Sequence, residues 1–235
     1  MKAIILNSGM GSRLKDLTKN NPKSLVKISE KETIFSRAIK ILSQFEINEF
    51  IITTGYLNNV LEDYARDIFP EINFNFVYNS IYNKTNYIKS LNLIKEEINE
   101  DIILLHGDLI FSKEVAQKII NSEKTSVVVD SSQNLSEKDF KAKIDNNQVK
   151  LISVNYIGED AVACQPFYKL KAHDWNLWKS EIDNFCNKNK TNVYAEEALN
   201  NITNNLILNP LDIKGELCCE IDTVEDLNKV KELLK

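Results

Sequence analysis

Residues 5–25 read ILNSGMGSRLKDLTKNNPKSL, and the parsing of this stretch decides the fold. An apolar run beginning at Lys2 (KAIILN) leads into two glycines, Gly9 and Gly11, and then a segment carrying Arg13 and Lys23. A short apolar run before glycines reads as a buried strand feeding a tight turn. The turn is not a dinucleotide fingerprint, because Leu14 stands where G-x-G-x-x-G needs its third glycine. A P-loop is excluded too, since no Gly-Lys-Ser/Thr follows. Ligands of open α/β sheets bind at the carboxyl ends of the strands, so this turn is well placed for one. Its glycines let backbone N–H groups approach an anion. Arg13 offers a bidentate fork to phosphate oxygens and Lys23 a mobile point charge. That combination points to a triphosphate.

Outward from this turn, apolar spacing predicts helices over 34–45, 58–69 and 86–98, and strands over 49–55, 74–79 and 101–108. The first 110 residues thus alternate βαβαβαβ, the pattern of a mostly parallel sheet with helices on both faces. Short strands are expected at 126–130, 141–144, 149–154, 161–167 and 217–221, with helices at 175–187 and 195–205. The chain closes in a helix over 223–235, with Thr223 as N-cap and Asp226 completing a capping box. The expected fold is α/β, a Rossmann-like three-layer α/β/α arrangement on a mixed, mostly parallel sheet. One domain is expected over 1–235, with a nucleotide-binding half (1–125) and an acceptor-binding half (126–235).

Composition narrows the function. The chain of 235 residues has 29 basic against 34 acidic side chains, net -5. That balance argues against a nucleic-acid partner, although a local basic patch can still hold a small anion. No apolar stretch reaches the length of a membrane span, and the N-terminal run is too short for a signal peptide. Cys164, Cys186, Cys218 and Cys219 form no CxxC and read as free thiols in a reducing compartment, which implies the cytoplasm.

The acidic candidates lie at strand ends. His106-Gly107-Asp108 closes one buried strand, and a carboxylate there suits a hard cation such as Mg²⁺. In Glu220-Ile221-Asp222, a spacing of two puts both carboxylates on one face of an extended segment. Asp108, Glu220 and Asp222 are therefore candidate Mg²⁺ ligands. Asp108 also reads as a turn residue, Asp222 as a second helix cap and His106 as a core histidine. A metal, an Arg and a Lys around a triphosphate suit phosphoryl or nucleotidyl transfer, which relies on positioning and charge neutralisation.

Together, Gly9-x-Gly11-x-Arg13-Leu14, Leu17-Thr18 and Pro22-Lys23-x-Leu25 resemble the signature of nucleotidyltransferases that load a nucleotide onto a phosphorylated small molecule, typified by the sugar-1-phosphate enzymes. Thr54-Gly55-Tyr56 resembles the family's second loop, and Asn79-x-x-Tyr82-x-x-Thr85-Asn86, with Ser90, a loop lining the nucleoside. Gly107-Asp108 resembles its metal aspartate, Gly158-Glu159 its mid-chain Gly-Glu, and Glu220-x-Asp222 its second metal site. Five of the six glycines fall at these landmarks, in a chain with little glycine to spare. The length and the Asn79–Asn86 loop look most like the phosphocholine cytidylyltransferase branch.

The resemblance implies CTP and a small phosphorylated acceptor as partners, Mg²⁺ as cofactor, and a monomer or homodimer. It implies Lys23, Arg13 and Asp108 as catalytic residues, with Lys23 at the α-phosphate and Arg13 on the β/γ side. The nucleotide would be bound by Leu6, Asn7, Ser8, Gly9, Met10, Gly11, Ser12, Arg13 and Lys23, then by Gly55, Tyr56, Asn79, Thr85, Asn86, Ser90 and Gly107. For the acceptor, Lys141 and Lys143 would receive the phosphate, while Glu159, Tyr194, Glu196 and Glu197 would surround the rest.

There are departures. Asn7-Ser8 replaces the usual two alanines and Asp16 a usual proline. After Tyr194 come Ala198 and Leu199, where phosphocholine enzymes present aromatics. A phosphorylated amine or amino acid is therefore expected, with glutamine phosphate (the capsule phosphoramidate precursor) first, ahead of 2-aminoethylphosphonate and phosphocholine. The alternatives are a hexose-1-phosphate enzyme using UTP or dTTP, and an inactive nucleotide-sensing homologue. A glycosyltransferase would need a D-x-D motif that Gly107-Asp108-Leu109 does not supply.

Overall fold

Side chains alternate faces along a strand, and in the central strands of this chain both faces are apolar. The first strand, β1 (Lys2–Asn7), is followed by helix α1 (Ile34–Ser43), β2 (Glu49–Thr54), α2 (Asn58–Ile68), β3 (Asn73–Tyr78), α3 (Tyr87–Asn92) and β4 (Ile102–His106). A computed structural model describes residues 1–95 and 97–235. β1 pairs in parallel with both β2 and β4, and β2 with β3. Ala3, Ile5, Phe50, Ile52, Ile103 and Leu105 pack with α1 and α2, whereas Ile4, Ile51, Ile102 and Leu104 pack with α3 on the other face. This is the expected three-layer α/β/α arrangement.

The second half extends the same sheet. It contains β5 (Leu109–Phe111), α4 (Lys113–Ile120), β6 (Ser126–Asp130), β7 (Lys141–Asp145), β8 (Gln148–Ser153) and β9 (Ala161–Leu170). It ends with α5 (Ala172–Asn187), α6 (Ala195–Asn200), β10 (Asn209–Asp212), β11 (Cys218–Glu220) and α7 (Val224–Leu233). The strand order is β10-β6-β9-β4-β1-β2-β3, with β7 and β8 joined through β9. β9 runs antiparallel to β4 and β6, which makes the sheet mixed. β5 and β11 form a separate antiparallel pair, with Glu220 opposite Leu109. That pair carries the segment after β11 to the end of β4, where the candidate carboxylates lie.

Some elements differ from expectation, among them β5 and β10, strands that the sequence does not predict. The helix predicted over 86–98 ends at Asn92, where the Leu93 amide turns back to the carbonyls of Lys89, Ser90 and Leu91; position 96 of that prediction lies outside the described residues. The helix predicted over 195–205 ends at Asn200 and continues as turns. α4 was not anticipated: the Ser112 hydroxyl accepts from the Val115 amide, and Val115, Ala116, Ile119 and Ile120 are buried. All four cysteines are free thiols. Among the described residues, no helix is long and apolar enough to cross a membrane.

The closing helix is capped as the sequence predicts. Thr223 Oγ1 accepts from the Asp226 amide at 3.2 Å, and Asp226 Oδ2 accepts from the Thr223 amide at 2.9 Å. Leu227 and Val230 of this helix pack on Leu14, Val26, Ile28, Ile34, Ile110 and Ile221 in a cluster beneath the glycine-rich loop. We expect Thr223→Ala to cost about 1 kcal/mol, read as a lower midpoint in urea denaturation; an unchanged midpoint would show that the cap is dispensable.

Candidate active site

The glycine-rich loop is built by close approach. Gly11 has φ +62°, and a Cβ there would lie 2.8 Å from Lys23 Cβ, so glycine is what lets the Lys23 stem pass. A 3-10 segment, Ser12–Thr18, follows, and the Thr18 hydroxyl closes it by donating to the Gly11 carbonyl at 3.0 Å. Leu14 within it is fully buried. The residue that disqualifies a dinucleotide turn thus anchors this loop to the cluster under α7. Gly107 serves a second close approach: a Cβ there would fall 1.9 Å from Asn7 Oδ1 and 2.7 Å from the Leu6 carbonyl. The ends of β1 and β4 therefore meet side by side.

Charges converge at this junction. Lys23 Nζ donates to Asp108 Oδ2 at 2.5 Å and to Asp222 Oδ1 at 2.8 Å. Arg13 Nη2 reaches Asp222 Oδ1 at 3.0 Å, while its own side chain is 60% exposed. Burial pushes the Lys23 ammonium down, but Asp108 and Asp222 outweigh it and hold it above the usual lysine range. Burial pushes Asp108 up, but Lys23 and then His106 hold it below the usual carboxylate range. The Ile221 amide donates to the Asp108 carbonyl at 3.0 Å, which fixes the two acidic segments together.

His106 is a site residue that the sequence reading assigned to the core. Its Nδ1 lies 2.9 Å from Glu220 Oε1. Burial pushes the imidazole down, but the Glu220 hydrogen bond and charge raise it overall; burial and Asp108 raise Glu220. Ligand atoms of His106, Asp108 and Glu220 lie within 4.8 Å of one another. Asp108 Oδ1 is buried without a hydrogen-bond partner among the described residues. A free carboxylate oxygen beside two further carboxylates suits a hard, oxygen-seeking cation such as Mg²⁺. Asp222 lies outside the His106 group and is held by Lys23 and Arg13.

On the other side of the loop, a buried polar chain forms the floor. Ser90 Oγ donates to Ser8 Oγ at 2.8 Å, and Ser8 Oγ donates to Thr53 Oγ1 at 3.1 Å. Asn79 Nδ2 reaches both Ser90 Oγ and Thr85 Oγ1 at 3.1 Å. The Asn86 side chain caps α3 by accepting from the Tyr87 amide at 2.8 Å.

A cavity of about 350 Å³ joins these groups. Of the residues predicted for the site, it is lined by Leu6, Asn7, Ser8, Gly9, Arg13, Lys23, Asn79, Thr85, Asn86, Ser90, Gly107, Asp108, Tyr194, Glu220 and Asp222. Met10, Gly11, Ser12, Gly55 and Tyr56 lie outside its lining. Gly55 acts from behind: a Cβ there would meet the Ser8 carbonyl at 2.5 Å. Tyr56 donates its hydroxyl to the Lys19 carbonyl at 2.6 Å.

The predicted acceptor residues are placed differently. Lys141 is buried and donates to the Val154 carbonyl at 2.6 Å and the Glu137 carbonyl at 3.1 Å, so its ammonium is spent on backbone. Lys143, Glu159 and Glu197 are exposed and outside the cavity lining. Glu196 is 1% exposed and accepts from the hydroxyls of Tyr87 and Tyr168. Lys138 lines the cavity instead. An aromatic wall that the sequence did not reveal stands beside Tyr194. Phe140 meets Tyr194 edge-on at 5.0 Å and His106 at 6.2 Å; Tyr87 meets His106 at 4.7 Å and Tyr194 at 5.9 Å. Tyr87 of this wall comes from the start of α3 and Phe140 from the segment before β7.

Comparison with known proteins agrees with this geometry. A model of the nucleotidyl transferase family (Nucleotidyl transferase) matches residues 2–145. The chain is 32% identical to CTP:phosphoglutamine cytidylyltransferase of Campylobacter jejuni, over 97% of this chain and 98% of that protein. It is 28% identical to choline-phosphate cytidylyltransferase of Streptococcus pneumoniae, over 100% of this chain and 99% of that protein. The fold matches the solved CTP:phosphocholine cytidylyltransferase of Streptococcus pneumoniae with a TM-score of 0.80 at 24% identity, covering 100% of this chain and 99% of that one. It also matches the inositol-1-phosphate CTP transferase of T. maritima with a TM-score of 0.82 at 21% identity, covering 99% and 94%.

Proposed function

Since the chain belongs to the nucleotidyl transferase family, we propose that it is a CTP-dependent cytidylyltransferase acting on a small phosphorylated amine or amino acid, glutamine phosphate first. The observation that carries this reading is one cavity lined by Lys23, Arg13, Asp108 and Asp222 at one end and by Tyr87, Phe140 and Tyr194 at the other. Glutamine phosphate is ranked first on the full-length similarity to the Campylobacter enzyme. Phosphocholine is the second reading, because a wall of aromatic rings suits a quaternary ammonium.

An oxygen of the acceptor phosphate attacks the α-phosphorus of CTP, a new P–O bond forms, and the bond to the β-phosphate breaks to release pyrophosphate. A phosphate dianion is already nucleophilic, so no general base is required. Lys23 neutralises charge that develops on the α-phosphate oxygens, and Arg13 holds the β/γ side. Lys138 neutralises the acceptor phosphate, the role first expected of Lys141 and Lys143. Asp108, with Glu220 and Asp222, would hold Mg²⁺, which when bound would neutralise charge on the triphosphate. On this reading residues 1–235 act as one unit; 1–125 supply most of the nucleotide site and 126–235 most of the acceptor site, with Tyr87 on the acceptor wall and Glu220 and Asp222 at the triphosphate end.

The test crosses the four common ribonucleotides and dTTP with glutamine phosphate, phosphocholine, 2-aminoethylphosphonate and glucose-1-phosphate, reading pyrophosphate release. CTP with one of the three aminated acceptors is expected to dominate. A preference for UTP or dTTP with glucose-1-phosphate would replace this reading.

A further inference from the structure

Glu196 lies outside the cavity, yet it is among the most deeply buried charged side chains of the chain, at 1% exposure. A carboxylate in that position is costly unless its oxygens are bonded. Both oxygens are: one accepts from the Tyr87 hydroxyl and the other from the Tyr168 hydroxyl at 2.8 Å. The two phenols differ in what lies beyond them. Tyr168, on β9, packs edge-on against Trp178 in the core, 5.4 Å between centroids. Tyr87 lines the cavity, with its ring against His106 and Tyr194.

We propose that Glu196 is a positioning residue for the acceptor: it holds Tyr87 by its hydroxyl and so fixes the aromatic wall formed with His106, Phe140 and Tyr194. The inference rests on the reading that this wall receives the acceptor.

Three features support it. Glu196 lies two residues after Tyr194, so one short segment supplies both a wall ring and the anchor of the opposing ring. The start of α3 is tied to the same region a second time, because the Asn86 amide donates to the Thr191 carbonyl at 2.8 Å. Burial and the Glu196 charge both push the Tyr87 phenol well above its usual range, so it stays a donor.

The test separates acceptor binding from nucleotide binding and turnover. kcat and the two KM values are measured with CTP and either glutamine phosphate or phosphocholine for Glu196→Gln, Tyr87→Phe, the double variant, Phe140→Ala and Tyr194→Ala. Losing a charge-assisted hydrogen bond is expected to raise the acceptor KM about tenfold in Glu196→Gln and in Tyr87→Phe, with kcat and the CTP KM nearly unchanged. The double variant should be no worse than Tyr87→Phe alone, because both act through one bond. If Glu196→Gln lowers thermal stability with no selective rise in acceptor KM, the inference is overturned and the residue is structural. If Tyr87→Phe folds normally and leaves the acceptor KM unchanged, it is overturned independently of how Glu196→Gln folds. Phe140→Ala and Tyr194→Ala distinguish the two levels. Unchanged acceptor KM in both would remove the acceptor wall itself; a rise in both, without one in Glu196→Gln, would remove only the positioning role.

Discussion

Lys23→Ala is expected to lower kcat/KM for CTP by about 10²–10³, with the fold retained. Lys23 bridges Asp108 and Asp222 at 2.5 and 2.8 Å, and its ammonium is held more firmly charged than an ordinary lysine. A cation fixed beside two carboxylates needs little reorganisation when a triphosphate oxygen arrives, and such preorganised charge is where most of this catalysis resides. Its stem passes Gly11 with no room for a Cβ, which fixes the lysine from its base as well as its tip. Most of the effect should appear in kcat, because the charge that Lys23 neutralises develops in the transition state. A variant that loses only CTP affinity, with kcat intact, would place Lys23 as a binding residue alone.

Asp108→Asn is expected to reduce kcat/KM by about 10²–10³ and to raise the Mg²⁺ concentration needed for half-maximal activity. Asp108 contributes one oxygen to Lys23 and keeps Oδ1 buried and unbonded among the described residues. Asparagine preserves the shape but removes the charge from both roles. It also leaves the Lys23 ammonium with Asp222 as its remaining carboxylate partner among the described residues. Calorimetric titration of the variant with Mg²⁺ gives a reading independent of turnover. Unchanged Mg²⁺ affinity and an unchanged Mg²⁺ requirement would move the metal away from Asp108.

Legibility followed chain distance. The loop from Leu6 to Lys23 could be read because its glycines, cations and Pro22 are contiguous, and close approach at Gly11 needs no distant partner beyond Lys23. β1, β2 and β4 could be read because both faces are buried, which makes them continuous apolar runs, and β3, at the sheet edge, because it alternates. Asp108 and Asp222 could be suspected from strand ends, but their joint hold on Lys23 depends on β11 pairing with β5, a contact between segments over a hundred residues apart. The aromatic wall was hidden for the same reason: Tyr87, Phe140 and Tyr194 are separated by about fifty residues each.

Lys141 and Glu196 show a different limit. Charge on a strand or helix face reads as solvated or ligand-facing, yet backbone carbonyls hold the first and two phenols the second. Sequence spacing does not reveal a buried partner of that kind. α4 is amphipathic but only eight residues long, too short for its period to stand out, and its N-cap serine resembles any loop serine.

On the proposed function, the α-phosphoryl group of CTP is transferred, with its nucleoside, at the Lys23–Asp108–Asp222 centre. The most direct measurement supplies CTP labelled with ³²P at the α- or the γ-phosphate, together with Mg²⁺ and the phosphorylated acceptors, and resolves the products. α-Label is expected to enter a cytidine-linked acceptor conjugate while γ-label leaves in pyrophosphate. Transfer of γ-label to the acceptor, with CDP as the other product, would contradict the proposed function.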